Sequence, residues 1–152
     1  MSEAPLRPFA LSLPMALLRA REAVMSNFRP ILAAEDLTEQ QWRVLRALAD
    51  ADNPLSANQL AERTLLLGPS LSRILTGLEA RGLLDRTKAP EDARRAVIAI
   101  NRGGRALLAK IGPRSETRYR WIEEQLGDGE LARLYELLAL VADTVVDPGR
   151  RG

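Results

Sequence analysis

The sequence predicts a mainly α-helical chain carrying one small β-hairpin, and three observations lead there. Apolar residues fill 46% of the 152 positions while aromatics fill only 4%. The core material is therefore mostly Leu, Ala, Val and Ile, which at helical spacing suits helix-on-helix packing. Two segments open with a hydroxyl residue followed three positions later by Gln, at Thr38/Gln41 and Ser56/Gln59, the capping-box signature of a helix start. Alternation of apolar and polar residues appears in LLDRTK (83–88) and RAVIAI (95–100), on either side of the short stretch APEDARR. The length is that of one ordinary domain with one core, so a single folded unit over 1–152 is expected.

The elements follow in order. In PMALLRAREAVMSNFRPIL, Leu17, Leu18, Arg21, Val24, Met25 and Phe28 fall on one helical stripe, with Pro14 near its start and Pro30 near its end. In LTEQQWRVLRALAD, Thr38 and Gln41 cap a second helix whose buried side is Trp42, Leu45, Leu48 and Ala49. After the turn ADNP, Ser56 caps a short third helix, with Leu55 and Leu60 spaced as a hydrophobic staple. GPSLSRILTGLEARG has Gly68 and Pro69 at its start and Gly82 at its end, burying Leu71, Ile74, Leu75 and Leu78. Its other face carries Ser70, Ser72, Arg73 and Thr76. Two paired strands come next, with residues 89–95 as an exposed tip. Two further helices complete the chain, the last placing Leu131, Leu134, Leu138, Val141 and Val145 on one stripe that Leu137 widens.

Composition removes several functions. With neither cysteine nor histidine, Ser-His and Cys-His nucleophilic catalysis, thiol redox sensing and the commonest zinc sites are excluded. No catalytic residue, metal or cofactor is expected. No uninterrupted apolar run approaches a membrane span and the N-terminus lacks a signal pattern, so the chain reads as cytosolic. Net charge is only +2, but Asn58 to Arg105 holds nine Arg and Lys against five Asp and Glu, whereas Ala106 to Val145 holds five against seven. A basic middle beside a mildly acidic end is the asymmetry of a nucleic-acid-facing lobe attached to something else. Solvated charges from an arginine-rich composition account for it equally well.

Two short helices, a tight connection, a helix with a small polar face and then a hairpin make a winged helix-turn-helix. On that reading Ser70, Ser72, Arg73 and Thr76 face the major groove, and Arg86 and Lys88 on the first strand face phosphates. Arg94 or Arg95 on the tip reaches phosphates or the minor groove, pre-aimed by a fork-fork pairing of Asp92 with the Arg94 guanidinium. The competing class is a winged-helix module that binds protein. The polar α-helical face argues against it, because docking faces more often present aromatic or aliphatic anchors.

From about Leu17 to the last helix the chain resembles the MarR family of bacterial regulators, in LTEQQWRVLR, in GPSLSRIL and in the Asp-x-Arg signature at Asp92 to Arg94. LLRAREAVMSNFRPIL joined to LTEQQWRVLR resembles further the branch regulating homoprotocatechuate (3,4-dihydroxyphenylacetate) degradation operons. The resemblance implies a homodimer on a palindromic double-stranded operator, with a recognition helix in the major groove, a wing near the minor groove, and repression relieved by an aromatic acid. It also implies a division into a DNA lobe at about 37–101 and a dimerisation region at about 12–33 and 102–146. Asn101 stands where family members often have Thr, and caps a helix equally well. Gly112-Pro113 departs more sharply, since a proline there must break or kink the fifth helix.

Arg21 is the odd member of the first stripe. A charge among core residues needs an anion, which Glu22 or Glu39 would supply from within the chain. The resemblance points instead to a small carboxylate ligand at the junction of the first, second and fifth helices. Arg21 and Arg43 would grip its carboxylate, Trp42, Met25 and Phe28 would line its ring, and Ser26 or Asn27 would reach ring hydroxyls.

Overall fold

The computed structural model describes residues 5–146. A short 3-10 turn precedes α1 (Leu13–Ala33), followed by α2 (Glu39–Asp50), α3 (Ala57–Thr64), α4 (Gly68–Ala80), β1 (Leu84–Ala89), β2 (Asp92–Ile100), α5 (Arg102–Leu126) and α6 (Glu130–Thr144). The chain divides into two compact units, residues 1–113 and 114–152.

In the first unit both capping boxes form. The Thr38 hydroxyl accepts the Gln41 N–H at 3.1 Å while the Gln41 side chain accepts the Thr38 N–H at 3.0 Å. Ser56 and Gln59 exchange the same pair of bonds at 3.2 and 2.9 Å. Each box satisfies two donors that the first helical turn otherwise leaves without partners, and a cap of this kind is worth about 1 kcal/mol. Between the caps lies the core: Val44, Leu45 and Leu48 from α2, Leu60 from α3, Leu71, Leu75 and Leu78 from α4, and Leu84, Ile98 and Ile100 from the hairpin. Ile74 is only half-buried and packs at its margin. Leu55 and Leu60 are both buried, as the staple requires.

The hairpin departs from expectation at its tip. β1 and β2 run farther than the alternation shows, leaving Pro90 and Glu91 as the turn, so Asp92 to Arg95 belong to β2. Lys88 pairs with Ala96 and Ala89 with Asp92, so Ala93, Arg94 and Arg95 bulge out without partners on β1. A further pairing has no counterpart in the sequence pattern: Leu55 donates its N–H to the Ile98 carbonyl at 2.9 Å and accepts the Ile98 N–H at 2.7 Å, adding a one-residue third strand. A single bridging residue has no periodicity to betray it.

Only the C-terminal end of the α1 stripe is buried, in Phe28, Ile31 and Leu32, while Leu17, Leu18, Arg21 and Val24 are exposed. Pro30 lies inside α1, which continues to Ala33. α5 likewise stays helical through Gly112-Pro113, so of the expected break or kink the break is absent. The proline removes one donor to the Ala109 carbonyl, and the flanking turns hold the helix.

Geometry requires several glycines, among them Gly103, whose added Cβ would lie 2.5 Å from the Gly82 carbonyl oxygen. Gly82 closes α4 at φ +70°, and at Gly104 an added Cβ would collide with the Leu83 carbonyl oxygen and the Ile100 side chain. In the second unit, Gly129 at φ +76° precedes α6, and none of the α6 residues is buried. Leu134, Leu137, Leu138 and Leu140 are all exposed in this chain.

Glycine substitution separates these cases. Gly77 lies inside α4 with open space where an added methyl group would stand, so Gly77→Ala should raise stability by about 0.5–1 kcal/mol. Gly104→Ala should lower it by about 2 kcal/mol or more, read from urea unfolding midpoints at constant slope.

Candidate functional site

Two clusters of polar side chains stand out on the first unit. The first covers the outer face of α4 and the wing. The α4 leucine stripe faces inward, which turns Ser72, Arg73 and Thr76 to solvent and leaves Ser70 half-buried. Arg73 makes no hydrogen bond or ion pair among the described residues, so its guanidinium is free to contact a partner. Thr76 donates its hydroxyl to the Ser72 carbonyl at 3.1 Å and accepts from Arg86 at 3.1 Å. Arg86 also donates through Nε to Glu79 at 3.2 Å. Expected as a phosphate contact, Arg86 is instead engaged in tying β1 to α4, which sets the wing against the helix. Its pairing is solvent-facing and worth at most about 1 kcal/mol, so a phosphate can exchange for Glu79.

Lys88 and Arg95 are exposed on the wing, and the Arg94 side chain is 94% exposed. Asp92 does not hold Arg94 in a fork. One of its oxygens accepts the Arg94 backbone N–H at 3.0 Å and lies 3.5 Å from Nε. The carboxylate therefore shapes the bulge, and the bulge aims the two arginines outward. Asn58, which belongs to none of the sequence motifs, lines a shallow groove between α3 and α4 with Ser72, Gly68 and Arg86. Its position in the first exposed turn of α3 is the signal that points to it.

The second cluster joins α1 to α2. Glu39, in the first turn of α2 and with its side chain only 12% exposed, pairs with Arg21, with Arg29 at 3.2 Å and with Arg43 at 2.9 Å. Arg29 also grips both oxygens of Glu22 at 2.9 Å each. That bond with Arg29 holds the Glu22 carboxyl below its ordinary range, outweighing the opposing effect of desolvation, and raises Arg29 in return. Arg43 extends the network by donating to the Thr64 carbonyl at 2.9 Å. Arg21 is thus no lone charge in a core: its side chain is 45% exposed, and Glu39 is its anion, with Glu22 at 3.6 Å. Three guanidiniums face two carboxylates, so the cluster carries one positive charge in surplus.

The remaining expected ligand residues divide. Trp42 and Met25 are half-buried, and Trp42 packs against the core with the Arg46 guanidinium 5.7 Å from its ring centroid. Phe28 is buried and available only as packing. Ser26 and Asn27 both donate to the Ala23 carbonyl, at 2.8 and 2.9 Å, so their polar atoms are already engaged with the helix backbone. Two further arginines join the cluster at helical spacings, Arg29 seven residues after Glu22 on α1 and Arg46 four residues after Trp42 on α2. Arg46 also lines, with Arg43, Ala47, Asp50 and Arg63, an open groove along α2 and α3.

A helix-turn-helix with a free arginine on its second helix and a bulged, arginine-bearing wing defines a winged-helix DNA-binding protein. The MarR family model matches residues 35–95, from the entry to α2 through the wing bulge. The homoprotocatechuate degradative operon repressor of Escherichia coli is 43% identical over 127 residues, 84% of this chain and 85% of that protein. The chain belongs to the MarR family and is a DNA-binding transcriptional regulator. Among solved structures, NadR in complex with 4-hydroxyphenylacetate is 40% identical with a TM-score of 0.78, covering 93% of this chain and 99% of its own. CouR bound to a 23-mer DNA duplex is 32% identical with a TM-score of 0.80, over the same shares of the two chains.

The free and engaged arginines should separate in a salt titration of DNA binding. Arg94→Ala or Arg95→Ala should flatten the log–log salt slope by about 0.9, one phosphate contact each, and Arg86→Ala should change it by less than half as much. Arg73→Ala should weaken specific binding more than non-specific binding; equal losses on both would remove Arg73 from base reading.

Proposed function

We propose that the protein is a dimeric cytoplasmic repressor of an aromatic-acid catabolic operon, released from its palindromic operator by a small phenolic carboxylate such as homoprotocatechuate, and not an enzyme. The observation that carries this reading is the arginine cluster around Glu39, a ready anion site, in a chain 43% identical to a homoprotocatechuate operon repressor. NadR with bound 4-hydroxyphenylacetate, at 40% identity, supports the same chemical class. Among the described residues no helix is long and apolar enough to cross a membrane.

On DNA, Ser70, Ser72, Arg73 and Thr76 face bases, and Lys88, Arg94 and Arg95 face phosphates or the minor groove, with Arg86 and Asp92 positioning the wing. Residues 37–101 form the DNA lobe, and 12–33 with 102–146 form the dimerisation region. The dimer is supported by the leucines of α6, none of them buried within one chain, and by Leu13, Leu17 and Leu18 of α1, which are exposed in the same way. A twofold dimer requires half-sites about one helical turn apart.

For the effector, the carboxylate enters the cluster and competes with Glu39 for Arg21 and Arg43, while Trp42 and Met25 offer the ring an apolar wall. Shifting the arginines away from Glu39 loosens the tie between α1 and α2, and a ligand that binds the loosened state better shifts the dimer toward it. Coupling of this kind amounts typically to about 1–3 kcal/mol.

Fluorescence anisotropy on the DNA upstream of its own gene tests the reading. Tight, salt-dependent binding reversed by homoprotocatechuate is expected, with Arg21→Ala needing about tenfold more compound, the worth of a charged hydrogen bond. Binding that no aromatic acid reverses would discard the effector, and an unchanged requirement in Arg21→Ala would discard Arg21 as its anchor.

A further inference from the structure

Three consecutive leucines, Leu65, Leu66 and Leu67, make the turn between α3 and α4. Leu66 is half-buried and packs against the core, whereas Leu65 and Leu67 are 87% and 78% exposed. Leu65 also sits at φ +54°, in the left-handed region that disfavours a branched side chain. Neither exposed leucine is explained by burial within this chain.

Leu67 is the more telling of the two. It occupies the N-cap of α4 and makes no side-chain cap bond, at the position where α2 and α3 place Thr38 and Ser56. A polar cap there would stabilise the helix by about 1 kcal/mol, so the leucine stands there at a cost in local stability. It stands at the leading end of the helix whose outer face carries Ser70 and Arg73. Gly68 beside it carries no side chain that could cover it, and Leu67 is open to whatever α4 approaches.

The N-terminal residues of a recognition helix contact base edges in the major groove. The apolar group presented there by a base pair is the C5-methyl of thymine. We propose that Leu67 is a specificity-determining residue that packs against a thymine methyl of the operator, while Ser70 and Arg73 read hydrogen-bonding edges further along α4. The inference rests on the assignment of α4 as the base-reading helix. It adds an apolar contact to a face otherwise composed of polar side chains.

The test removes one methyl group at a time. A duplex is selected by the wild-type protein from a random library, and each thymine is then replaced by deoxyuracil, which deletes only the C5-methyl. One thymine in each half-site should show a loss of about fourfold in affinity on replacement, the order expected for one buried methyl. In Leu67→Ala the affinity for the thymine duplex should fall by a similar factor, and the thymine–deoxyuracil difference at that position should vanish. Because Leu67 is exposed, the variant should fold as the wild type does, which circular dichroism checks. Indifference of the wild type to every replacement overturns the proposal while leaving DNA binding intact, as does a difference that survives in Leu67→Ala. A Leu67→Ala that changes the oligomeric state and not the discrimination assigns the residue to a contact between copies and also overturns it. Failure to select any duplex would overturn the base-reading assignment itself.

Discussion

The seating of three leucines controls the DNA-facing surface. Leu71, Leu75 and Leu78 lie in a core built with Val44, Leu45, Leu60, Leu84 and Ile98, and that packing fixes the rotation of α4 about its axis. A helix that buries one stripe has no choice about which residues it exposes, and here the exposed ones are Ser72, Arg73 and Thr76. The wing is held by the same core through Leu84, Ile98 and the backbone bridge from Leu55, and on its outer side by Arg86 reaching Glu79 and Thr76. Burying one methylene contributes about 0.8 kcal/mol, comparable to a whole exposed ion pair, so the leucines hold the geometry and the polar ties refine it.

Charge is organised differently at the two clusters. On α4 and the wing, Arg73, Lys88 and Arg95 lack partners among the described residues and Arg94 has a single carboxylate contact, an arrangement that leaves cations ready for phosphates. Between α1 and α2 the arginines are mutually repelling groups held together by Glu39 and Glu22. Glu39 is the residue that makes this second cluster tolerable. It is also the group that an external carboxylate would have to displace, which connects anion binding to the tie between the helices.

The helices are legible from residue spacing because capping and amphipathic burial are local: Thr38/Gln41 and Ser56/Gln59 form the bonds that their separation anticipates. Hairpin boundaries are less so. APEDARR looks like loop chemistry, yet Ala89 and Asp92 pair across its turn and Ala93 to Arg95 continue the strand as a bulge. Long-range facts are the least accessible. The Leu55–Ile98 bridge spans two elements with no shared pattern, and the choice of Glu39 as the partner of Arg21 depends on how α2 folds back on α1. Arg21 itself resembles a core charge in the sequence because a stripe says which residues share a face, and says nothing about whether that face is covered within the chain.

Effector and operator, if they favour different states of one dimer, must oppose each other's binding, and linkage tests that without reference to any particular residue. Calorimetry would measure homoprotocatechuate binding to the free protein and to the protein saturated with operator DNA. Binding to the DNA complex should be weaker, by the same factor by which the compound weakens the protein's affinity for DNA. Equal affinity for the free and DNA-bound protein would contradict the two-state dimer.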